Sequence, residues 1–146
     1  MCDPIPVTLL TMKLIANVSS DVAKVLGLSE QIRSIGLLSS DSDDVTYMAL
    51  DHATKMANVH VVYAKSMYAG AANATTRSAG EVIGILAGPS PSEVMSGLTG
   101  AKAFLESGVC FHKANDRGDV VYLSHCVSSC GTYLSEIAEV PVVQNG

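Results

Sequence analysis

The pattern Leu14-x-x-x-Val18-Ser19-Ser20 returns as Leu123-x-x-x-Val127-Ser128-Ser129, 109 positions further along, and each copy leads from an apolar strand into a short helix. This echo constrains the fold more than any single motif, because compact domains are about 100 residues long. It divides the chain into a domain at residues 1–108 and residues 109–146, the strand-helix start of a second, incomplete copy.

Within the first copy, apolar runs and amphipathic stretches alternate. Met12 to Val18 reads as a strand, and Ser19 or Ser20 caps a helix whose apolar residues Val22, Val25 and Leu26 stop at Gly27. Ser34 to Ser39 is a second strand, ending in the acidic turn Asp41-Ser42-Asp43-Asp44. Val45 to Asn58 places Val45, Met48, Ala49, Ala53 and Met56 on one stripe, with Thr46, Asp51 and Lys55 off it, so the spacing predicts a helix covering a sheet face. Val59 to Tyr63 and Gly80 to Gly88 are further strands, joined by a connection rich in small residues. In Gly88-Pro89-Ser90-Pro91-Ser92-Glu93 the N-cap serine, the proline at the first helical position and a glutamate completing a capping box start a helix that turns Val94, Leu98, Ala101 and Leu105 inward. A polar turn (Asn115 to Asp119), a strand from Val120 to Val127 and a helix from Gly131 to Ile137 follow.

From Ser34 to Val127 the order is βαββαβ, and from Met12 to Ser107 it is βαβαββα, a circular permutation of nearly the same set. The segments 12–18 and 120–127 therefore compete for one position in the sheet. Both orders belong to the α+β class, a ferredoxin-like, mostly antiparallel sheet with helices packed on it.

Composition removes several functions. Hydrophobic residues make up 48% of the chain, charged residues 16%, and mean hydropathy is +0.32, which fills a core but leaves few charges to cover a solitary monomer. Part of the surface is therefore expected to meet another subunit. A net charge of −5 without any Lys/Arg cluster argues against a nucleic-acid partner, whose phosphates require concentrated basic side chains. No run of eighteen apolar residues suggests a membrane partner, and Met1-Cys2-Asp3-Pro4 lacks a basic signal-peptide region, so a cytoplasmic protein is expected. Cys2, Cys110, Cys126 and Cys130 do not form a secreted disulfide framework.

Ser34-Ile-Gly-Leu-Leu, the helix end Ala53-Thr-Lys-Met-Ala-Asn-Val59 and the strand Glu81-Val-Ile-Gly-Ile-Leu86 resemble, in order and spacing, the bacterial microcompartment (BMC) shell domain. Arg33-Ser-Ile-Gly-Leu, Asp41 to Tyr47, Val61 to Gly70 and Ala79-Gly-Glu-Val82 are similar to its circularly permuted, EutL-like ethanolamine-utilization branch, a similarity running over residues 7–138. The resemblance implies a non-catalytic shell protein without a cofactor, assembling with itself and other shell proteins into pore-bearing tiles that pass small polar metabolites such as ethanolamine. Members of that branch carry two permuted domains per chain and form trimers. This chain matches only the first strand and helix of the second domain, so homotrimer and homohexamer both stay open.

The same resemblance assigns site residues. Lys55 matches the lysine along the tile edge, although by type alone it is a solvated helix lysine. The connection Ser66 to Ala79 matches the pore loops, with Tyr68, Ala69 and Gly70 as pore candidates, and it is long for joining adjacent strands. Asp41, Asp43, Asp44 and Glu81 match acidic residues at a smaller pore, where carboxylates suit an ammonium group; Asp43, Asp44 and Glu81 are the ligand candidates. Asp43 or Asp44 would equally serve to cap the helix after them.

Other constellations carry less. Cys110-x-His112 and His125-Cys126-x-x-x-Cys130 lack a Cys-x-x-Cys knuckle, so no metal site is expected. Ser124, His125 and Asp119 lack a nucleophile elbow, and neighbouring strand residues face apart. A reading from another class is a ligand-sensing regulator, since βαββαβ domains bind small molecules at subunit interfaces.

Overall fold

A computed structural model describes residues 4–67, 81–114, 117, 121–123 and 131–134 of the chain. Its elements are β1 (Pro4–Ile5), β2 (Leu9–Ile15), α1 (Ser20–Val25), β3 (Ser34–Ser40), α2 (Asp43–Met56), β4 (His60–Met67), β5 (Glu81–Gly88), α3 (Pro91–Glu106), β6 (Phe111–Lys113) and β7 (Val121–Leu123). Four strands form an antiparallel sheet in the order β2-β3-β5-β4, and β1, β6 and β7 form a separate small sheet. None of the described helices is long and apolar enough to cross a membrane.

The competition for one sheet position is decided in favour of the earlier segment. β2 pairs with β3 (Met12↔Leu38, Leu14↔Gly36), while β7 pairs with β6 (Phe111↔Leu123), and β6 pairs with β1 (Ile5↔Phe111). Val120 and residues 124–127, expected to belong to that later strand, lie outside the described residues.

β3 and β5 are central strands, covered on the inner face by α2 and α3 and on the outer face at the α1 end, which is why Ile35, Leu38, Leu86 and Ala87 are all buried although they alternate in direction. Leu38 and Leu86 point towards α2 and α3, joining Val45, Ala49, Leu50, Ala53, Val94, Leu98, Ala101 and Leu105. Ile35 and Ala87 point the other way, with Val18 and Ala23 of the α1 side. Two glycines let the helices approach closely. A Cβ on Gly36 would stand 2.7 Å from Leu98 Cδ1, and one on Gly84 would stand 2.5 Å from Leu50 Cδ1.

α3 begins as its sequence dictates. Ser90 Oγ accepts the Glu93 N–H at 3.3 Å and Pro91 opens the helix. The Glu93 carboxylate also reaches another element, accepting the Asn58 N–H at 2.8 Å and so tying the start of α3 to the end of α2. α1 departs from expectation. Its Ser19 cap is present, but Val22 is 41% and Val25 86% exposed, and Ala23 is the residue that packs inward. One open apolar groove, of about 380 Å³, runs between α1 and the outer sheet face, lined by Ile15, Val22, Val25, Leu26, Leu37 and Ile85 among others.

α2 also departs. Val45, Ala49 and Ala53 are buried as the stripe predicts, yet Met56 is exposed, and Thr46 and Asp51, read as lying off the stripe, are fully enclosed. The reason is a second set of neighbours on the polar flank: Thr46 shares a hydroxyl–hydroxyl hydrogen bond with Ser40, and Asp51 faces residues 131–134.

Candidate functional site

The strand registers bring most of the expected site to one end of the four-stranded sheet. Ser40, the last residue of β3, pairs with Val82 near the start of β5, and Glu81 pairs with Met67 at the end of β4. Two residues after Ser40 the chain enters α2 at Asp43. The backbone of the acidic turn, the backbone of Glu81 and both ends of the 68–80 connection therefore share one rim. Tyr68, Ala69 and Gly70 lie outside the described residues, and of Asp43 and Glu81 only the backbone is described.

The acidic turn is built from interlocking polar contacts. Asp41 Oδ1 accepts the Thr8 N–H at 2.8 Å, and the Asp41 N–H donates to Thr8 O at 3.2 Å, holding the turn to the approach of β2. Ser40 Oγ accepts the Ser42 N–H at 3.1 Å. Ser42 occupies the N-cap position, so Asp43 and Asp44 are first-turn residues and not caps, which corrects the capping role expected of them. A first helical turn carries the partial positive charge of the helix start, a stabilising place for acidic residues. Asp44 is exposed on this rim and already engaged in an interaction of its own.

Lys55 is not part of this rim. It lies near the other end of α2, about 18 Å along the helix axis from Asp43 at the usual rise per residue. It is exposed, with Nζ 3.5 Å from Asp51 Oδ2. Beside it, His52 lies against the Phe104 ring with centroids 5.5 Å apart. Burial first and the Lys55 charge second lower the His52 pKa, with Asp51 opposing.

Asp51 is the residue that sequence reasoning missed. Its carboxylate accepts the N–H groups of Gly131 and Leu134, both at 2.8 Å. An aspartate four residues before a lysine on a helix has the signature of a surface ion pair, and its partners here are backbone amides, which carry no side-chain signal.

Among the metal candidates, Cys110 is buried with a free thiol and His112 is half-buried and already engaged. No group of three potential metal ligands occurs among the described residues. His125, Cys126 and Cys130, with Ser124 and Asp119, lie outside them.

Comparison with known proteins follows this geometry. The BMC domain model matches residues 34–114. The bacterial microcompartment shell protein EutL of Clostridium perfringens is 55% identical over 138 residues, covering 94% of this chain and 64% of that protein. EutL of Escherichia coli is 51% identical over 129 residues, covering 88% and 59%. The crystal structure of the ethanolamine utilization protein EutL from Leptotrichia buccalis superposes with a TM-score of 0.88 at 55% identity, covering 97% of this chain and 65% of that one. EtuB from Clostridium kluyveri shares the fold at 20% identity, with a TM-score of 0.70. The chain thus spans less than two thirds of the length of the relatives it matches.

Proposed function

Since this chain belongs to the BMC domain family, we propose that it is a structural, non-catalytic shell protein that assembles edge to edge, with itself and with other shell proteins, into the pore-bearing layer of a cytoplasmic bacterial microcompartment. The observation that carries this reading is the match at a TM-score of 0.88 over 97% of the chain to a EutL crystal structure. The low charge content is consistent with it, since an assembling subunit needs fewer charges to cover its surface.

In this reading residues 1–108 are a permuted shell domain and 109–146 begin a second repeat. The building unit is a ring, homotrimeric or homohexameric. The rim that gathers Asp41, Asp43, Asp44 and Glu81 with the ends of the 68–80 connection is the passage for small polar metabolites. Ethanolamine, a small cation, meets carboxylates at Asp43, Asp44 and Glu81, while Tyr68, Ala69 and Gly70 line the central pore. Lys55, exposed at the far end of α2, stands at the tile edge.

Two measurements test this. Sedimentation velocity of the purified chain should show a discrete ring-sized species; a strictly monomeric protein at all concentrations would sink the assembly reading. Calorimetric titration with ethanolamine should show binding that the double variant Asp43→Asn/Glu81→Gln removes, and binding left intact in that variant would move the ligand site elsewhere.

A further inference from the structure

Beyond α3 the chain returns to α2, and one carboxylate lies at the centre of that contact. Gly131 donates its N–H to Asp51 Oδ2 and Leu134 donates to Oδ1, each at 2.8 Å, so both oxygens of a side chain that is only 1% exposed are used by one short helical segment. One turn further along α2, Thr54 Oγ1 accepts the Thr132 N–H at 3.3 Å while donating its own proton to Asp51 O at 2.6 Å. One turn earlier, the rings of Tyr47 and Tyr133 meet at 6.4 Å. A Cβ at position 131 would stand 2.8 Å from the Asp51 carbonyl oxygen and 2.9 Å from Oδ1, so this seat admits only glycine.

We propose that the Tyr47–Asp51–Thr54 stripe of α2 is a docking site for residues 131–134 of the second repeat, with Asp51 as its positioning residue, and that this contact sets where that segment stands in the assembled ring. The docking stands on the contacts alone; its consequence for the ring rests on the shell reading above. A buried carboxylate is retained only where hydrogen bonds and opposite charge replace its lost water. Here two amides and the Lys55 ammonium at 3.5 Å do so. Because three of these contacts are to main-chain N–H groups and the fit depends on a missing side chain, the stripe recognises chiefly the shape of a glycine-led helix start, with Tyr133 as the one side chain met by a ring contact. The echoed pattern ending at Ser129 leads directly into that start.

Amide hydrogen exchange on the full chain tests this. Asp51→Asn leaves one carbonyl where two oxygens accepted, and its NH2 opposes one of the two amides. Exchange at Gly131 and Leu134 should quicken by about 100-fold while the amides of β3 and β5 keep their protection. Thr54→Val should quicken Thr132 by about 10-fold and leave the core amides alone. Gly131→Ala, which leaves Asp51 intact, should unseat the same segment. Unchanged exchange at Gly131 and Leu134 in Asp51→Asn would overturn the proposal, and so would a rise shared equally by β3 and β5, the mark of a general loss of stability. Light scattering on the same samples reads the second half. Ring formation weakened in Asp51→Asn and Gly131→Ala supports it, and a loosened segment with unaltered rings overturns it. A wild-type chain with protected amides that never leaves the monomer would defeat the shell reading and leave the docking site standing.

Discussion

Gly84 and Leu50 offer the sharpest internal test of how α2 is seated on the sheet. Leu50 is fully buried, and a Cβ on Gly84 would stand 2.5 Å from its Cδ1 and 2.9 Å from its Cδ2. Gly84→Ala therefore overpacks the interface. Overpacking costs about 1–3 kcal/mol, offset by about 0.4–1 kcal/mol because alanine restricts the unfolded chain, so a net loss of roughly 1–2 kcal/mol is expected. Leu50→Ala removes a wholly enclosed side chain and leaves a cavity, with a loss of about 3–5 kcal/mol. In the double variant the atoms that the new methyl group meets are gone, and that methyl fills part of the cavity. The loss in the double variant should then fall short of the sum of the two single losses by about 1–3 kcal/mol. Urea unfolding followed by circular dichroism, with a shared m-value of about 1–3 kcal/mol per molar, resolves such a difference as a displaced midpoint. Losses that add to within about 0.5 kcal/mol would refute the argument, because they would mean that α2 does not rest on Gly84 through Leu50.

Three further outcomes follow from the same geometry. Ser90→Ala removes the acceptor for the Glu93 N–H and should cost about 1 kcal/mol, read as a lowered melting temperature. Lys55→Ala should change stability by less than about 1 kcal/mol, since the lysine is exposed and the Asp51 carboxylate keeps its two amides, yet weaken the joining of rings into sheets, measured by pelleting. His52 has a folded pKa below its unfolded value, so the unfolded chain binds more protons between the two; stability should fall as pH drops through about 6.5, and His52→Gln should flatten that slope in thermal melts.

Much of the frame was legible because its signals are local. The Ser90 cap on the Glu93 N–H and the Pro91 start of α3 are local, and its inward set Val94, Leu98, Ala101 and Leu105 is buried as helical spacing predicts. The turn at Gly27 is likewise local, its φ of +69° being one that glycine adopts freely. What escaped depends on long-range partners. The polar flank of α2 reads as solvent-facing until Gly131 and Leu134, eighty or more residues away in sequence, arrive to use Asp51. β1 and β6, of two and three residues, are too short to show a period of two, so the small sheet they share with β7 left no pattern. In α1, Val22 and Val25 follow a helical stripe, but a helix this short presents only Ala23 inward and leaves the valines beside an open groove. The site residues came from family resemblance and not from spacing. The strand registers then put the backbones of Asp41–Asp44 and Glu81 on one rim.

The central claim, that this chain is a unit of a pore-bearing layer, is tested most directly by electron microscopy of the purified protein at increasing concentration. Rings of threefold or sixfold symmetry with a central opening, joining edge to edge into sheets, are the predicted result. Isolated particles of single-chain size at every concentration, with neither rings nor sheets, would contradict it.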